Sequence, residues 1–412
     1  MGNNKSIAIV GGGVAGITTA YFLSKKYKVR LFDPNGIAEQ CSYANGGQLS
    51  VCNAEVWNTY SNIAKGIKWL TQPDAPLAFR PDVWSWAKIR WIAGFIGATI
   101  TNKYDYNTRK TIEYSLRSRK LMKKMMKELK LEFHHNDCGI LHIYKNQKSW
   151  DKAQRTLERF KDTGWGRVKT RTNLIKYNIK SNDVVGATLT KGDSVGDIHS
   201  FCQKLSRYMM QDRKYDYSFR INKVVRTEDE VFWSNPRDMA ISLKTLQRDF
   251  DEVIICAGAY TSTLVPSVNV YPIKGYSITY QNAYEGPTIS VLDDDRKIVA
   301  SPFSNNVFRV AGTAELADWN HSIRQDRVKP LADWVQQNTF IIRDDYKRWA
   351  CLRPMTPNML PVISKIKGLW VNTGAGHLGW TMGMALAERL ANDLQRRKRY
   401  ITERNIQTRY HY

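Results

Sequence analysis

Ser6 to Val10 (SIAIV) is a short unbroken apolar run, the pattern of a strand buried in a parallel sheet. It leads into Gly11-Gly12-Gly13-Val14-Ala15-Gly16 and then ITTAYFLSKKY, which is helical in period. VRLFD follows as a second strand ending at Asp33. Ser42 to Ser50 (SYANGGQLS) is small, polar and glycine-rich, and predicts a loop. Residues 60–130 are rich in tryptophan and lysine with helical periodicity. Within them Ser118 to Lys130 predicts an amphipathic helix, with Lys120, Lys123, Lys124 and Lys127 on one face and Leu121, Met122, Met125, Met126 and Leu129 on the other. Residues 131–145 read as strands and 150–180 as a second basic helical stretch. DEVIICAGAY (251–260) predicts a buried strand entering a glycine turn, and VYPIKGYSITY (270–280) and NVFRVAGTAEL (306–316) alternate like sheet strands. Residues 368–394 predict a strand, a glycine-rich turn and a long helix, and the basic tail from Arg396 is expected to fray.

At 412 residues the chain exceeds the ~250–300 at which one core stops growing, so two domains are expected. Hydrophobic content of 42% with 11% aromatics excludes a disordered or collagen-like chain. The longest uncharged apolar run, Trp91 to Ile100, falls short of the ~20 residues of a spanning helix. Met1 to Lys5 runs into the first strand without a cleavage site, so a cytoplasmic protein is expected. Cys41, Cys52, Cys138, Cys202, Cys256 and Cys351 form no CxxC pair, and the histidines show no ligand spacing. A disulfide framework and a metal site are therefore not expected.

The chemistry begins at Gly11-x-Gly13-x-x-Gly16, which follows a strand, opens a helix and precedes Asp33 by a dinucleotide-binding interval. The first glycine permits the tight turn, the second lets a pyrophosphate approach the backbone, and the third allows close packing of helix on strand. The helix N-terminus then faces the phosphates, and Asp33 accepts from ribose hydroxyls, which disfavours NADP. A second glycine-rich strand–turn–helix near the C-terminus, with Gly374, Gly376, Gly379 and Thr381, points to FAD rather than NAD. A chain that binds only NAD has no need of it.

These stretches, in order, resemble the FAD-dependent D-amino-acid oxidase superfamily over essentially the whole chain, and most closely its D-amino-acid dehydrogenases. The residues that carry the resemblance are SIAIVGGGVAGITTAYFL, SYANGGQLS, GIKWL with APLAFRPD, GDSVGD (192–197), YPIKGYSITY, LRPMTPNMLPV (352–362) and LWVNTGAGHLGWTM (369–382). The implied fold is α/β: a Rossmann-type FAD-binding domain interleaved with a substrate domain containing a large mixed or antiparallel sheet. The expected division is 1–60 in the FAD unit, 61–150 in the substrate unit with its basic helical region, 151–265 in the FAD unit, 266–345 in the substrate unit, and 346–412 in the FAD unit with the basic tail.

The resemblance places Gly11, Gly13, Val14, Ala15, Gly16 and Asp33 on the ADP half of FAD. Ser42, Asn45, Gly46, Gln48 and Leu49 fall along the pyrophosphate and isoalloxazine, Val224 at the adenine, and Gly376, Leu378, Gly379 and Thr381 against the ring and ribityl chain, with Gly258 also in the cofactor set. Arg353 sits where many relatives hold the substrate carboxylate, as a forked guanidinium would. Tyr276 is expected to add its hydroxyl there, and Arg309 to stand near the flavin. CLRPMTPN resembles the segment of monomeric sarcosine oxidases whose cysteine joins FAD covalently, which brings Cys351 into the cofactor set. The sequence also departs from the pattern. It reads Thr356-Pro357-Asn358-Met359 where relatives read TPDG, and His377 follows Gly376 where related dehydrogenases read GHG. Both changes fall near the expected substrate pocket, and His377 joins Arg353, Tyr276 and Arg309 as a catalytic candidate. The implied reaction is oxidation of a C–N bond in an amino-acid or N-substituted glycine group, by hydride transfer to flavin.

Charge is the outlier, at +24 with a pI near 9.7. Between Lys103 and Lys180 there are 21 basic and 8 acidic residues. Three readings compete. The first is a solvated basic surface. The second is contact with a membrane surface, with Trp69, Trp84, Trp86 and Trp91 at the interface. The third is a phosphate track over 103–180 for a nucleic acid carrying an amino-acid-modified base, as in thymine hypermodification or tRNA. The sequence reading favours the nucleic-acid-borne substrate, with deamination of a free D-amino acid, electrons passing to quinone or oxygen, as its alternative.

Overall fold

The computed structural model describes residues 5–69, 75–79, 84–180, 183–232, 240–304 and 306–409, backbone only at 232 and 397–409. Leu70 and Arg80 to Asp82, parts of the stretches quoted above, lie outside these residues.

The first strand, Ser6–Val10, sits inside a six-stranded sheet ordered Tyr217–Arg220, Lys28–Phe32, Ser6–Val10, Glu252–Ile255, Leu369–Thr373, Val362–Ile366. All pairs are parallel except the last, where the hairpin partner Val362–Ile366 closes the edge. Strands from the start, middle and end of the chain thus share one sheet. Helix Val14–Leu23 is buried nearly all round, as its apolar composition requires. It packs on the long helix Gly379–Arg409, where Thr18 Oγ1 donates to the Gly383 carbonyl (3.3 Å). That helix continues as backbone to Arg409, where fraying was expected.

The second sheet runs Lys347–Met355, Tyr271–Tyr280, Phe308–Leu316, Ile298–Pro302, Ser290–Asp293, Ile140–Tyr144, Gly186–Thr190, Val168–Thr170, with Leu77–Phe79 paired to Phe308–Leu316. It is mostly antiparallel, with Ser290–Asp293 parallel to Ile140–Tyr144. Tyr271–Tyr280 is buried along its whole length, between helix Gln325–Asn338 on one face and the interior cavity on the other. A three-stranded sheet joins Gln48–Leu49, Ser194–Gly196 and His135–Asn136, and so brings SYANGGQLS against GDSVGD.

Several expected boundaries move. Residues 150–180 are not one helix: helix Gln147–Arg159 ends before Gly164 and Gly166, both at positive φ, which turn the chain into the edge strand Val168–Thr170. That strand and Gly186–Thr190, expected in the FAD unit, belong to the large sheet because they pair antiparallel onto Ile140–Tyr144. Lys347–Met355 belongs there too, paired to Tyr271–Tyr280. Among the described residues no helix is long and apolar enough to cross a membrane.

On the helix-covered face of the large sheet Lys274 and Glu315 form a fully buried ion pair (3.0 Å), which Arg324 joins through Glu315 (2.9 Å). Removing one charge strands the other, at about 3–5 kcal/mol. Glu315→Gln is expected to destabilise the protein by that amount in equilibrium denaturation, and an unchanged midpoint would refute the pairing.

Candidate active site

A cavity of about 1500 Å³ lies between the two sheets. Small-molecule sites occupy ~300–1000 Å³, so this one has room for a dinucleotide together with a substrate.

At one end stands the glycine turn. Gly11 has φ +108°, and a Cβ there would meet the Cys256 carbonyl oxygen at 2.4 Å; a Cβ on Gly16 would lie 1.8 Å from the Gly11 carbonyl oxygen. Side chains are therefore excluded from the crossing of strand and helix. Gly13, at the helix N-cap, offers no side-chain cap, and the next N–H, that of Val14, donates to Ser42 Oγ (3.1 Å). Asp33 accepts from the backbone N–H of Gly12 (2.7 Å) and Asn35 (2.9 Å), and burial raises its carboxyl above the usual range. Gly13, Val14, Ala15, Asp33, Ser42, Asn45, Gly46, Gln48, Val224, Gly258, Cys351, Gly376, Leu378, Gly379 and Thr381 all line the cavity. Gly16 serves by packing. Buried Gln48 Oε1, Asn372 Oδ1 and His377 Nδ1 have no hydrogen-bond partner among the described residues, and all three residues line the cavity. An excluded-Cβ cradle, an open helix N-terminus and orphaned polar atoms along one cavity fit FAD.

Two expected members fall elsewhere. Leu49 turns into the hydrophobic core because alternation along Gln48–Leu49 sends only Gln48 toward the cavity. Arg309 is buried away from the lining. It donates to Thr279 Oγ1 (3.0 Å) and the Asn45 carbonyl (3.1 Å) and lies 3.8 Å from Asp197, holding the Asn45 loop from outside.

At the substrate end, Arg353 pairs in register with Ile273, so the two share a face of the sheet. A Cβ on Gly275 would lie 2.2 Å from the Arg353 guanidinium carbon. Among the described residues no hydrogen bond, ion pair or ring contact engages that guanidinium, and it lines the cavity. Tyr276, next along the strand, also borders the cavity, but its ring packs on the helix-covered face, where its hydroxyl donates to Glu315 (2.5 Å). Burial and that carboxylate raise its pKa. The hydroxyl is thus withdrawn from Arg353, and the expectation that the two act together is overturned by strand alternation.

His377 stacks on Trp57 (ring centroids 4.5 Å apart), a residue the sequence did not single out among 13 tryptophans. Its Nε2 donates to the Asn53 carbonyl (3.4 Å), which leaves Nδ1 as a bare acceptor. Burial first, then the Arg353 charge, lowers its pKa to about 4, so it is neutral at physiological pH. Cys351 lies on the cavity wall two residues before Arg353, beside Cys41; both thiols are free, and Cys41 Sγ donates to the Leu352 carbonyl (2.8 Å). Lys120, Lys123, Lys124 and Lys127 are exposed and outside the cavity lining.

The comparisons agree with this geometry. The description "FAD dependent oxidoreductase" fits residues 6–392. The chain belongs to that family, and its cofactor is FAD. Among curated relatives it is 34% identical to D-amino acid dehydrogenase 3 of Mesorhizobium japonicum, over 93% of this chain and 96% of that one. It is 30% identical to D-amino acid dehydrogenase of Vibrio atlanticus, over 94% and 95%. Among solved structures, glycine oxidase from Bacillus cereus superposes with a TM-score of 0.69 at 14% identity, covering 96% of both chains.

Buried His142 also has its pKa held down to about 4, by burial and then Arg167. An unfolded histidine titrates near 6.5. Below that pH the unfolded chain binds more protons, so stability falls from about pH 6.5 to pH 4 and then levels. Denaturation midpoints measured across this range are expected to drop, and less so in His142→Gln. Identical pH profiles for the two proteins would contradict the assignment.

Proposed function

We propose that the protein is a D-amino-acid dehydrogenase acting on free amino acids. The observation that carries this reading is the Arg353 guanidinium, unengaged among the described residues, on the wall of a dinucleotide-sized cavity. A carboxylate is the partner its forked donors fit. The names of full-length relatives support the choice over a nucleic-acid-borne substrate, as does the position of the lysine face of helix Tyr104–Leu129 away from the cavity.

When bound, FAD supplies a two-electron acceptor for hydride from the substrate α-carbon. The residues of the chain orient. Arg353 fixes the carboxylate and thereby the α-carbon. His377 Nδ1, neutral and without a proton, is an acceptor for the amine; with a pKa near 4 it positions rather than deprotonates. Trp57 holds the ring plane of His377. Arg353→Met is expected to lower kcat/KM for D-alanine at least about 100-fold through KM, as loss of two charge-assisted hydrogen bonds would, with FAD content unchanged. Unchanged KM would sink the assignment.

A second observation bears on the electron acceptor. Helices Tyr60–Trp69 and Trp86–Ile100 give Ile63, Ile67, Trp91, Ile92, Phe95 and Ile96 to the cavity and expose Trp86 (82%), Tyr60 (65%) and Ile67 (64%), with Lys65 and Lys68 on the first helix and Lys103 beyond the end of the second. An apolar surface edged with lysines suits an anionic lipid interface, and it would open the cavity to a membrane-dissolved quinone. Trp86→Ser is expected to reduce co-sedimentation with phosphatidylglycerol vesicles while leaving D-alanine oxidation by a soluble dye intact; equal co-sedimentation would remove the membrane contact.

A further inference from the structure

The cavity has a second cationic pole, distinct from Arg353. Arg167, only 9% exposed, precedes strand Val168–Thr170 and lines the cavity. Its Nε donates to Thr188 Oγ1 (2.9 Å) and its Nη1 to the Cys52 carbonyl (3.4 Å). Nη2 lies 3.6 Å from Asp294 and makes no hydrogen bond among the described residues. The guanidinium carbon stands 5.8 Å from the Tyr144 ring centroid, and the Tyr144 hydroxyl, also buried, has no partner either. Two buried donors without a hydrogen bond among the described residues, on one stretch of cavity wall, mark a place where a ligand atom or water completes them.

At the rim beside them stand Lys65, Lys152 and Lys297. The carboxylates there are already engaged. Glu55 accepts from the Tyr104 hydroxyl (2.7 Å), and Asp294 pairs with Lys297 (2.6 Å) and His142 (3.3 Å). Asp295 accepts from the backbone N–H of Lys145 (2.7 Å) and Asn146 (3.1 Å). Lys152 reaches Glu55 only at 3.8 Å, and Lys65 has no ion pair among the described residues. Burial and its neighbours Lys297 and Lys152 lower the pKa of Lys65, as crowded cations do. Four cations, Arg167, Lys65, Lys152 and Lys297, thus face three carboxylates, Glu55, Asp294 and Asp295, and one positive charge is left uncompensated.

The two poles are joined along one wall. Arg167 holds the carbonyl of Cys52, the next residue Asn53 holds His377, and His377 feels the Arg353 charge. We propose that Arg167 and Tyr144, with Lys65 at the rim, bind a carboxylate at the far end of the substrate side chain. The preferred substrates are then D-amino acids with acid-terminated side chains several carbons long. This rests on Arg353 holding the α-carboxylate.

The test is calorimetric titration of the holoenzyme with straight-chain dicarboxylates (glutarate, adipate, pimelate), each against the monocarboxylate of equal carbon number. Kinetics of D-2-aminoadipate against D-norleucine run in parallel. At least one dicarboxylate is expected to bind about tenfold tighter than its monocarboxylate. That ratio should fall towards one in Arg167→Met and be reduced in Lys65→Met, at the cavity rim. Equal or weaker dicarboxylate binding by the unmodified enzyme, or an unchanged ratio in both variants, overturns the proposal. If no D-amino acid reduces the flavin while dicarboxylate selectivity persists, the second pole stands and the dehydrogenase reading falls.

Discussion

The substrate end of this protein depends on a side chain that is missing. With any Cβ on Gly275, the Arg353 guanidinium could not lie where it does, since that atom would stand 2.2 Å from the guanidinium carbon. The strand-to-strand register that sets Ile273 against Arg353 and Gly275 against Cys351 then aims the charge into the cavity instead of into the sheet. The same device recurs at the other end. There Gly11 and Gly16 let backbone meet backbone so closely that only glycine fits, and the helix N-terminus is left open to phosphate. Excluded side chains shape both ends of the cavity.

The charges are sorted by face. On the helix side of the large sheet, Lys274, Glu315, Arg324 and the Tyr276 hydroxyl satisfy one another and carry structure. On the cavity side, among the described residues, Arg353 is unengaged, and Arg167 and Tyr144 are only partly satisfied. A buried donor without a partner is costly, so a protein that keeps several along one cavity keeps them for a ligand. The contrast between the two faces separates function from packing more sharply than burial alone.

The dinucleotide cradle was legible in the sequence because it is local: strand, three spaced glycines, helix and Asp33 follow within one short stretch. Arg353 was legible through its motif. Tyr276 was misread because one residue along a strand reverses the face, and no residue-type signal records which face is the cavity. Arg309 shares the strand face of cavity-lining Ala311 but is covered by the Asn45 loop, which it holds from behind, and no residue-type signal records that cover. Trp57 was hidden by the abundance of tryptophan, and the Arg167–Tyr144 pole by long-range assembly. The helix expected over 150–180 hid the edge strand that sets Arg167 in place.

The amino-acid reading is tested most directly by anaerobic mixing of the yellow holoenzyme with D- and L-enantiomers of one amino acid, following the loss of flavin absorbance. The account predicts bleaching by the D-enantiomer, with a rate that saturates in substrate and does not depend on added nucleic acid. No bleaching by any D-amino acid, or bleaching only by an oligonucleotide bearing a glycyl-modified pyrimidine, would contradict it.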